Sequence, residues 1–188
     1  ARAVEKAGIR AKLAKSVMDC GEGLPAVWQK STQEELDIQE ELIKKFNHTA
    51  EDRIQVWFGI RTIFNATDEL ILRSKELADK YGVGVHMHIA EAKAEVEYAR
   101  ETRGVTTVTH LNNLGFLDKN VIAAHAVWLT NEEVEMFRKH QVKVSHNPAS
   151  AMRVLGFAKI PRMLREGVCV ALGTDGAPTN NRMNMVDE

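Results

Sequence analysis

Cysteine is scarce in this 188-residue sequence, which contains only Cys20 and Cys169, and neither belongs to a Cys-x-x-Cys arrangement. Two thiols so far apart in the chain exclude a disulfide framework and are typical of proteins from a reducing compartment. We therefore predict a cytoplasmic protein in which both thiols are small, buried apolar groups.

An excess of charge of one sign and long apolar runs are also missing. The 25 Lys and Arg residues balance 26 Asp and Glu residues, and no basic cluster is interleaved with aromatic residues. This balance gives no electrostatic reason to expect nucleic acid or an anionic membrane as a partner. No apolar run is long enough to cross a bilayer, and no signal peptide is visible. The 44% hydrophobic and 27% charged content predicts one soluble globular domain over residues 1–188.

Short apolar, β-rich runs alternate along the chain with amphipathic helical segments. Strands are predicted at residues 9–18, 53–60, 82–90, 121–127, 141–146 and 167–174. Helices are predicted at residues 32–47, 67–80, 92–103, 131–139 and 157–166. Ser31, Thr67 and Thr130 are placed as helix N-caps, and Gly82 and Gly167 lie where helix C-caps belong. Six βα units in a row predict a parallel sheet covered by helices.

An open doubly wound sheet and a (β/α)8 barrel both fit this order. No Gly-x-Gly-x-x-Gly loop follows a strand, which disfavours the open sheet. Polar residues fall at the C-terminal ends of different strands, which converge on one mouth in a barrel; they are His88, Glu91, His125, His146 and Asp175. We therefore predict an α/β fold, an incomplete TIM (β/α)8 barrel of about six βα units, strands 3 to 8. Because the first residues read as the end of a helix, we expect a piece of a longer protein.

The segment GVHMHIAEAK raises the question of a metal site. His86 and His88 point the same way on a strand, and Glu91 follows just past its end. One imidazole offers one good metal bond, and a carboxylate three residues later can hold a proton beside the metal without binding it. A packed, hydrogen-bonded strand histidine is the alternative interpretation, and it applies equally to His125.

The apolar strand VCVALGT ends at Asp175, which is followed by a tight loop at Gly176 and Pro178. Since this loop does not resemble a helix start, we favour a metal ligand or a base over a helix cap. In SHNPAS, Asn147 and the proline after it are predicted to form a turn, and His146 either reaches a substrate or braces that loop. Together the strand ends supply His-x-x-Glu, His and Asp, the ligand set of one divalent metal in a barrel mouth.

These motifs resemble those of the amidohydrolase superfamily, in the branch of the methylthioadenosine and S-adenosylhomocysteine deaminases, guanine deaminase and the triazine (atrazine chlorohydrolase-like) hydrolases. The resemblance is carried by VHMHIAE, AAHAVWL, SHNPAS and LGTDGAPTNN, while MDCGEGLPAVW is most similar to triazine-hydrolase-like proteins. It implies a homodimeric hydrolase with one divalent metal, zinc in preference to iron. The family's His-x-His pair of strand 1 has no counterpart here, so we expect this chain alone to be inactive.

The resemblance also implies roles for individual residues. His88 and Asp175 are the metal ligands, Glu91 is the proton shuttle, and His125 orients the attacking water or touches the substrate. Asp175 also takes the proton from that water. The implied substrate-binding residues are His125, Arg61, Asn147, Asn180 and Asn181. Where deaminases of purine nucleosides carry a histidine after strand 4, this sequence has Arg61, which disfavours adenosine-type substrates and favours an anionic or carbonyl-bearing group.

These expectations describe a hydrolase that deaminates an amino-substituted N-heterocycle of purine, pterin or triazine type with a metal-activated water. Two alternatives stay open. The same water could displace chloride or an alkylamine from a triazine ring. The barrel could also be a catalytically inactive binding module, because one fold serves many functions.

Overall fold

The structure is a computed structural model that describes residues 1–21, 24–28 and 30–188. Two residues of the MDCGEGLPAVW segment, Glu22 and Gly23, lie outside the described residues. Within these ranges the strands are β1 (Ala11–Val17), β2 (Ile54–Ile60), β3 (Val85–Ile89), β4 (Val121–His125), β5 (Lys143–His146) and β6 (Cys169–Leu172). The helices are α1 (Arg2–Ala7), α2 (Thr32–Phe46), α3 (Thr49–Asp52), α4 (Asp68–Tyr81), α5 (Lys93–Arg103), α6 (Thr107–Asn113), α7 (Asn131–His140), α8 (Pro148–Val154) and α9 (Ile160–Arg165).

Helix starts follow the capping residues that the sequence predicts. The Ser31 hydroxyl accepts the amide of Glu34 while the Glu34 carboxylate accepts the amide of Ser31, and Thr130 and Glu133 form the same reciprocal pair. Thr67 caps α4 with one such bond. Each side-chain cap satisfies an amide that the helix itself leaves unpaired, and contributes about 1 kcal/mol.

The chain divides into two compact units, and the first spans Ala1–His86. Its strands β1 and β2 are parallel, in a register that pairs Ala11 with Ile54. The start of β3 continues the ladder, since the amide of Phe58 donates to the carbonyl of Gly84 at 3.0 Å. Large apolar side chains of β2, α2 and α4 are fully buried in this unit; they include Phe58, Ile60, Leu36, Leu70 and Ile71. Burying each contributes about 1.5–3 kcal/mol.

The second unit spans Met87–Glu188 and contains the end of β3 followed by β4, β5 and β6 in sequence order. The pairs β4–β5 and β5–β6 are both parallel. Its core is formed by alternate strand residues, the inner faces of the helices and the loop after α6; it includes Met87, Ile89, Val144, Phe116 and Phe137. Because parallel strands end on the same side, this order brings their C-terminal ends together at one edge of the unit.

Two local predictions were wrong, and one further helix was not predicted. Asn147 and Pro148 do not form a free turn, because Asn147 is the N-cap of α8 and Pro148 occupies its first turn. Proline suits that position, since its fixed φ is helical and the missing amide would have been unpaired. Helix α6 was not predicted because its seven residues are too few to show a helical period. Cys169 is exposed and Cys20 is half-buried, so neither thiol is fully buried as predicted.

Among the described residues, no helix combines the length and the apolar character needed to cross a membrane.

Candidate active site

The predicted site residues of the second unit lie directly at strand ends or in the turns that follow them. His88 is inside β3, and Glu91 comes two residues after that strand ends. His125 is the last residue of β4. Backbone φ is positive at His125 (73°), at Asp175 (60°) and at Ala90 (50°). Non-glycine residues rarely adopt such φ values outside functional or tightly constrained turns.

His88, Glu91 and His125 form a cluster in which one potential ligand atom from each lies within 4.8 Å of the others. The Nε2 atom of His125 is 3.6 Å from Oε1 of Glu91. The two imidazole rings are stacked, with centroids 5.4 Å apart and an interplanar angle of 27°. The strand geometry therefore brings together three of the residues that the sequence singles out.

The orientation of His125 is fixed from its other side. The side-chain nitrogen of Asn147 faces Nδ1 of His125 at 3.5 Å, and the Asn147 oxygen accepts a bond from the Ser145 hydroxyl at 3.1 Å. A Cβ on Gly173 would lie 2.3 Å from that Asn147 oxygen, so any larger residue would displace the Asn147 side chain from this position. In the neutral tautomer that accepts this amide at Nδ1, the imidazole carries its proton on Nε2, the nitrogen that faces Glu91.

Asp175 lies outside the cluster formed by His88, Glu91 and His125 in the part of the chain that the structure describes. Its carboxylate accepts bonds from the Ser150 hydroxyl at 2.6 Å, the Gly176 amide at 2.7 Å and the Thr179 hydroxyl at 2.9 Å. Burial raises the pKa of Asp175, but these donors and the nearby His125 outweigh burial and lower it below the ordinary value. The group is therefore ionised at neutral pH.

The remaining predicted site residues differ in their burial and in their contacts. Asn180 is buried and donates to the carbonyl of Thr174 at 2.8 Å, whereas Asn181 is exposed. Arg61 belongs to the first unit, where it follows β2 and its amide donates to the carbonyl of Val17 at 3.1 Å. Burial lowers the pKa of His146, while Glu188 opposes this effect. Their roles in substrate binding stay predictions.

Three residues that hold parts of the candidate site in place were not predicted from the sequence. Ser150 and Thr179 hold the Asp175 carboxylate, and no spacing rule connects them with it in advance. Glu95 is 1% exposed, and its carboxylate accepts the backbone amides of Ala90 and Glu91. A glutamate in the first turn of a helix is a signal for such a bond to preceding amides, so Glu95 could have been predicted.

The whole chain, residues 1–188, matches the model of the amidohydrolase family. A 5-methylthioadenosine/S-adenosylhomocysteine deaminase of Aquifex aeolicus is 38% identical over 191 residues, covering 100% of this chain and 43% of that protein. A zinc-bound adenosine deaminase structure from Xanthomonas campestris superposes with a TM-score of 0.91 at 28% identity, covering 100% of this chain and 42% of that one. The structure of a zinc complex of atrazine chlorohydrolase from Arthrobacter aurescens TC1 superposes with a TM-score of 0.91 at 25% identity. The match covers 97% of this chain and 42% of that one.

The chain therefore belongs to the amidohydrolase family. The predicted family and the predicted fold class, an incomplete α/β barrel, are both confirmed. The chain spans about 42–43% of the length of the curated relatives that it matches over its full length.

Proposed function

We propose that this chain is part of a metal-dependent hydrolase that deaminates an amino-substituted N-heterocycle. It contributes active-site residues at the C-terminal ends of its strands. The observation that supports this most directly is the convergence of His88, Glu91 and His125, whose potential ligand atoms lie within 4.8 Å of one another. The cluster brings His88, which we assign as a metal ligand, next to Glu91 and His125, which we assign to proton transfer. The similarity to proteins named as deaminases points to the same reaction class.

The donor set suits zinc, which binds imidazole nitrogen and carboxylate oxygen. We assign His88 and Asp175 as the residues that hold the ion, as the family resemblance implies. When bound, such an ion is a Lewis acid that makes water acidic near neutral pH. The two related structures both contain zinc, which supports zinc over iron.

The residues around the cluster divide the proton transfers between them. We assign Asp175, kept ionised by its three donors, as the group that accepts a proton from the attacking water. His125 presents its Nε2 proton towards Glu91 at 3.6 Å, and orients that water or the substrate. Glu91 carries protons to the ring nitrogen and to the departing amine. General acid–base steps of this kind each contribute about 10²- to 10⁴-fold in rate.

The substrate is assigned only to a class, an N-heterocycle of purine, pterin or triazine type. Arg61 is the feature that points away from adenosine and towards a substrate with an anionic or carbonyl group. The proteins that the chain resembles are named for adenosine-type substrates and for atrazine. A substrate panel therefore has to include adenosine analogues, guanine, pterins and both aminated and chlorinated triazines.

We further propose that the protein is a cytoplasmic homodimer.

The proposal is tested with His88→Ala in the full-length protein, with metal content and ammonia release as the two measurements. Because His88 is assigned as a ligand, this variant should lose bound metal and most of its turnover. His86→Ala is the matched control, since His86 lies two residues earlier on the same strand and is not assigned to the metal. Full metal content and full turnover in the His88 variant would contradict the proposal.

A further inference from the structure

Glu95 is a buried carboxylate whose position the catalytic assignment does not use. It lies in the first turn of α5, four residues after Glu91, and only 1% of it is exposed. Its Oε1 accepts the amide of Ala90 at 2.8 Å, and its Oε2 accepts the amide of Glu91 at 2.9 Å. Both oxygens are therefore used on the two residues that connect β3 to the catalytic carboxyl group.

The peptide between Ala90 and Glu91 is fixed on both of its polar sides. Its N–H donates to Glu95, and its carbonyl accepts the amides of Val127 at 3.0 Å and of Trp128 at 2.9 Å. Val127 and Trp128 lie two and three residues after His125, the last residue of β4. One peptide plane thus ties the turn of Glu91 to the turn of His125, the two side chains that meet at 3.6 Å.

The turn combines a strained residue with a helix N-cap whose side chain offers no hydrogen-bond acceptor. Ala90 has a φ of 50°, which is unfavourable for a residue with a Cβ. The N-cap of α5 is Ala92, which has no side chain able to accept the preceding amides. The Glu95 carboxylate reaches past this cap and supplies the missing acceptors.

Keeping a carboxylate in this position has an electrostatic cost. Burial raises the pKa of Glu95 to about 7, and the amides of Glu91 and Ala90 only partly oppose that rise. Neither glutamine nor leucine would carry this cost. Glutamine, however, has one acceptor oxygen and would turn its amino group towards one of the two amides.

We propose that Glu95 is a positioning residue that fixes the Ala90–Glu91 peptide and so orients the Glu91 carboxyl group towards His125 and the substrate. This inference rests on the proposed function for its catalytic consequence. Its geometric part, the fixing of two amides, can be tested without any turnover.

The catalytic test compares Glu95→Gln with Glu133→Gln in the full-length protein. Glu133 is a matched control because it is also buried, at 2% exposed, and its carboxylate also accepts a backbone amide, that of Thr130 at 2.7 Å. We expect Glu95→Gln to lower kcat by about 10- to 100-fold with unchanged metal content and little change in KM. Glu133→Gln should leave kcat near the parent value. Equal loss of kcat in both variants would overturn the proposal.

A double-mutant cycle separates positioning from a direct role. If Glu95 acts only through Glu91, then Glu95→Gln should cause no further loss of kcat in a protein that already carries Glu91→Gln. An undiminished loss in that background would overturn the positioning role.

Hydrogen exchange provides the readout that does not depend on activity. In Glu95→Gln, the amides of Ala90 and Glu91 should exchange faster, while those of α7 keep their protection. Unchanged exchange at both amides would overturn the proposal. If the parent protein released no ammonia from any substrate, the proposed function would fail, yet faster exchange at these two amides would still support the role of Glu95 in fixing the turn.

Discussion

The turns that follow β3 and β4 place a buried glutamate at the same position, the third residue of the next helix, but use it differently. After β4, Glu133 returns to the N-cap of its own helix, Thr130, and the two residues satisfy each other. After β3, the N-cap is Ala92, and Glu95 reaches beyond it to Ala90 and Glu91.

The difference between these turns shows how one local rule can serve stability or function. The Glu133 bonds close a helix end, which is a general stabilising device. The Glu95 bonds leave their own helix uncapped by any side chain and fix the residues that lead to the carboxyl group of Glu91, for which we propose a catalytic role. Burying the Glu95 carboxylate is costly, and closing the end of α5 does not require it. A buried carboxylate of this kind is the physical sign of that second use.

The largest expected effect that distinguishes the two glutamates is a pH dependence of stability. Burial raises the pKa of Glu95 from 4.5 to about 7, so the folded protein binds this proton more tightly than the unfolded chain. The associated stability is fully present below pH 4.5 and is lost as the pH rises through about 7. We expect the free energy of unfolding to fall by about 3 kcal/mol in this window.

Urea unfolding between pH 4 and pH 8 measures this contribution. The fall should be smaller in Glu95→Gln, which has no group to titrate at this position, and should persist in Glu133→Gln. Identical pH profiles for the parent protein and the Glu95 variant would show that the raised pKa does not contribute to stability.

A smaller effect is expected when the second turn is broken. Glu133→Ala removes the acceptor of the Thr130 amide and of the Thr106 hydroxyl. Leaving these partly buried donors unpaired should lower the free energy of unfolding by about 1 kcal/mol, while kcat of the folded fraction stays unchanged. Denaturant unfolding and steady-state kinetics on the same sample check both parts. A loss of kcat without a loss of stability would remove the contrast between the turns.

Much of the fold was predictable because its signals are local. The capping residues Ser31, Thr67 and Thr130 all occupy the predicted positions, since a cap depends only on its neighbours in sequence. Strand order in each unit also follows from the alternation of strands and helices. Helix α8 was missed because Asn-Pro begins both turns and helices, and only the packing of the residues after it decides between them.

The candidate site was predictable to a smaller extent. That His88, Glu91 and His125 would meet followed from their places at neighbouring parallel strand ends. The donors to Asp175 could not be inferred, because Ser150 lies 25 residues away and reaches it only through the fold. The bond between Asn147 and His125 is equally a product of tertiary packing across 22 residues.

The most direct test of the central claim is ammonia release by Glu91→Gln in the full-length protein, with metal content measured on the same sample. We expect the variant to keep its metal and to lose most of its turnover, by about 10²-fold or more. Unchanged turnover in a fully metal-loaded Glu91→Gln protein would contradict the assignment of Glu91 as the proton carrier, and with it the catalytic interpretation of the cluster.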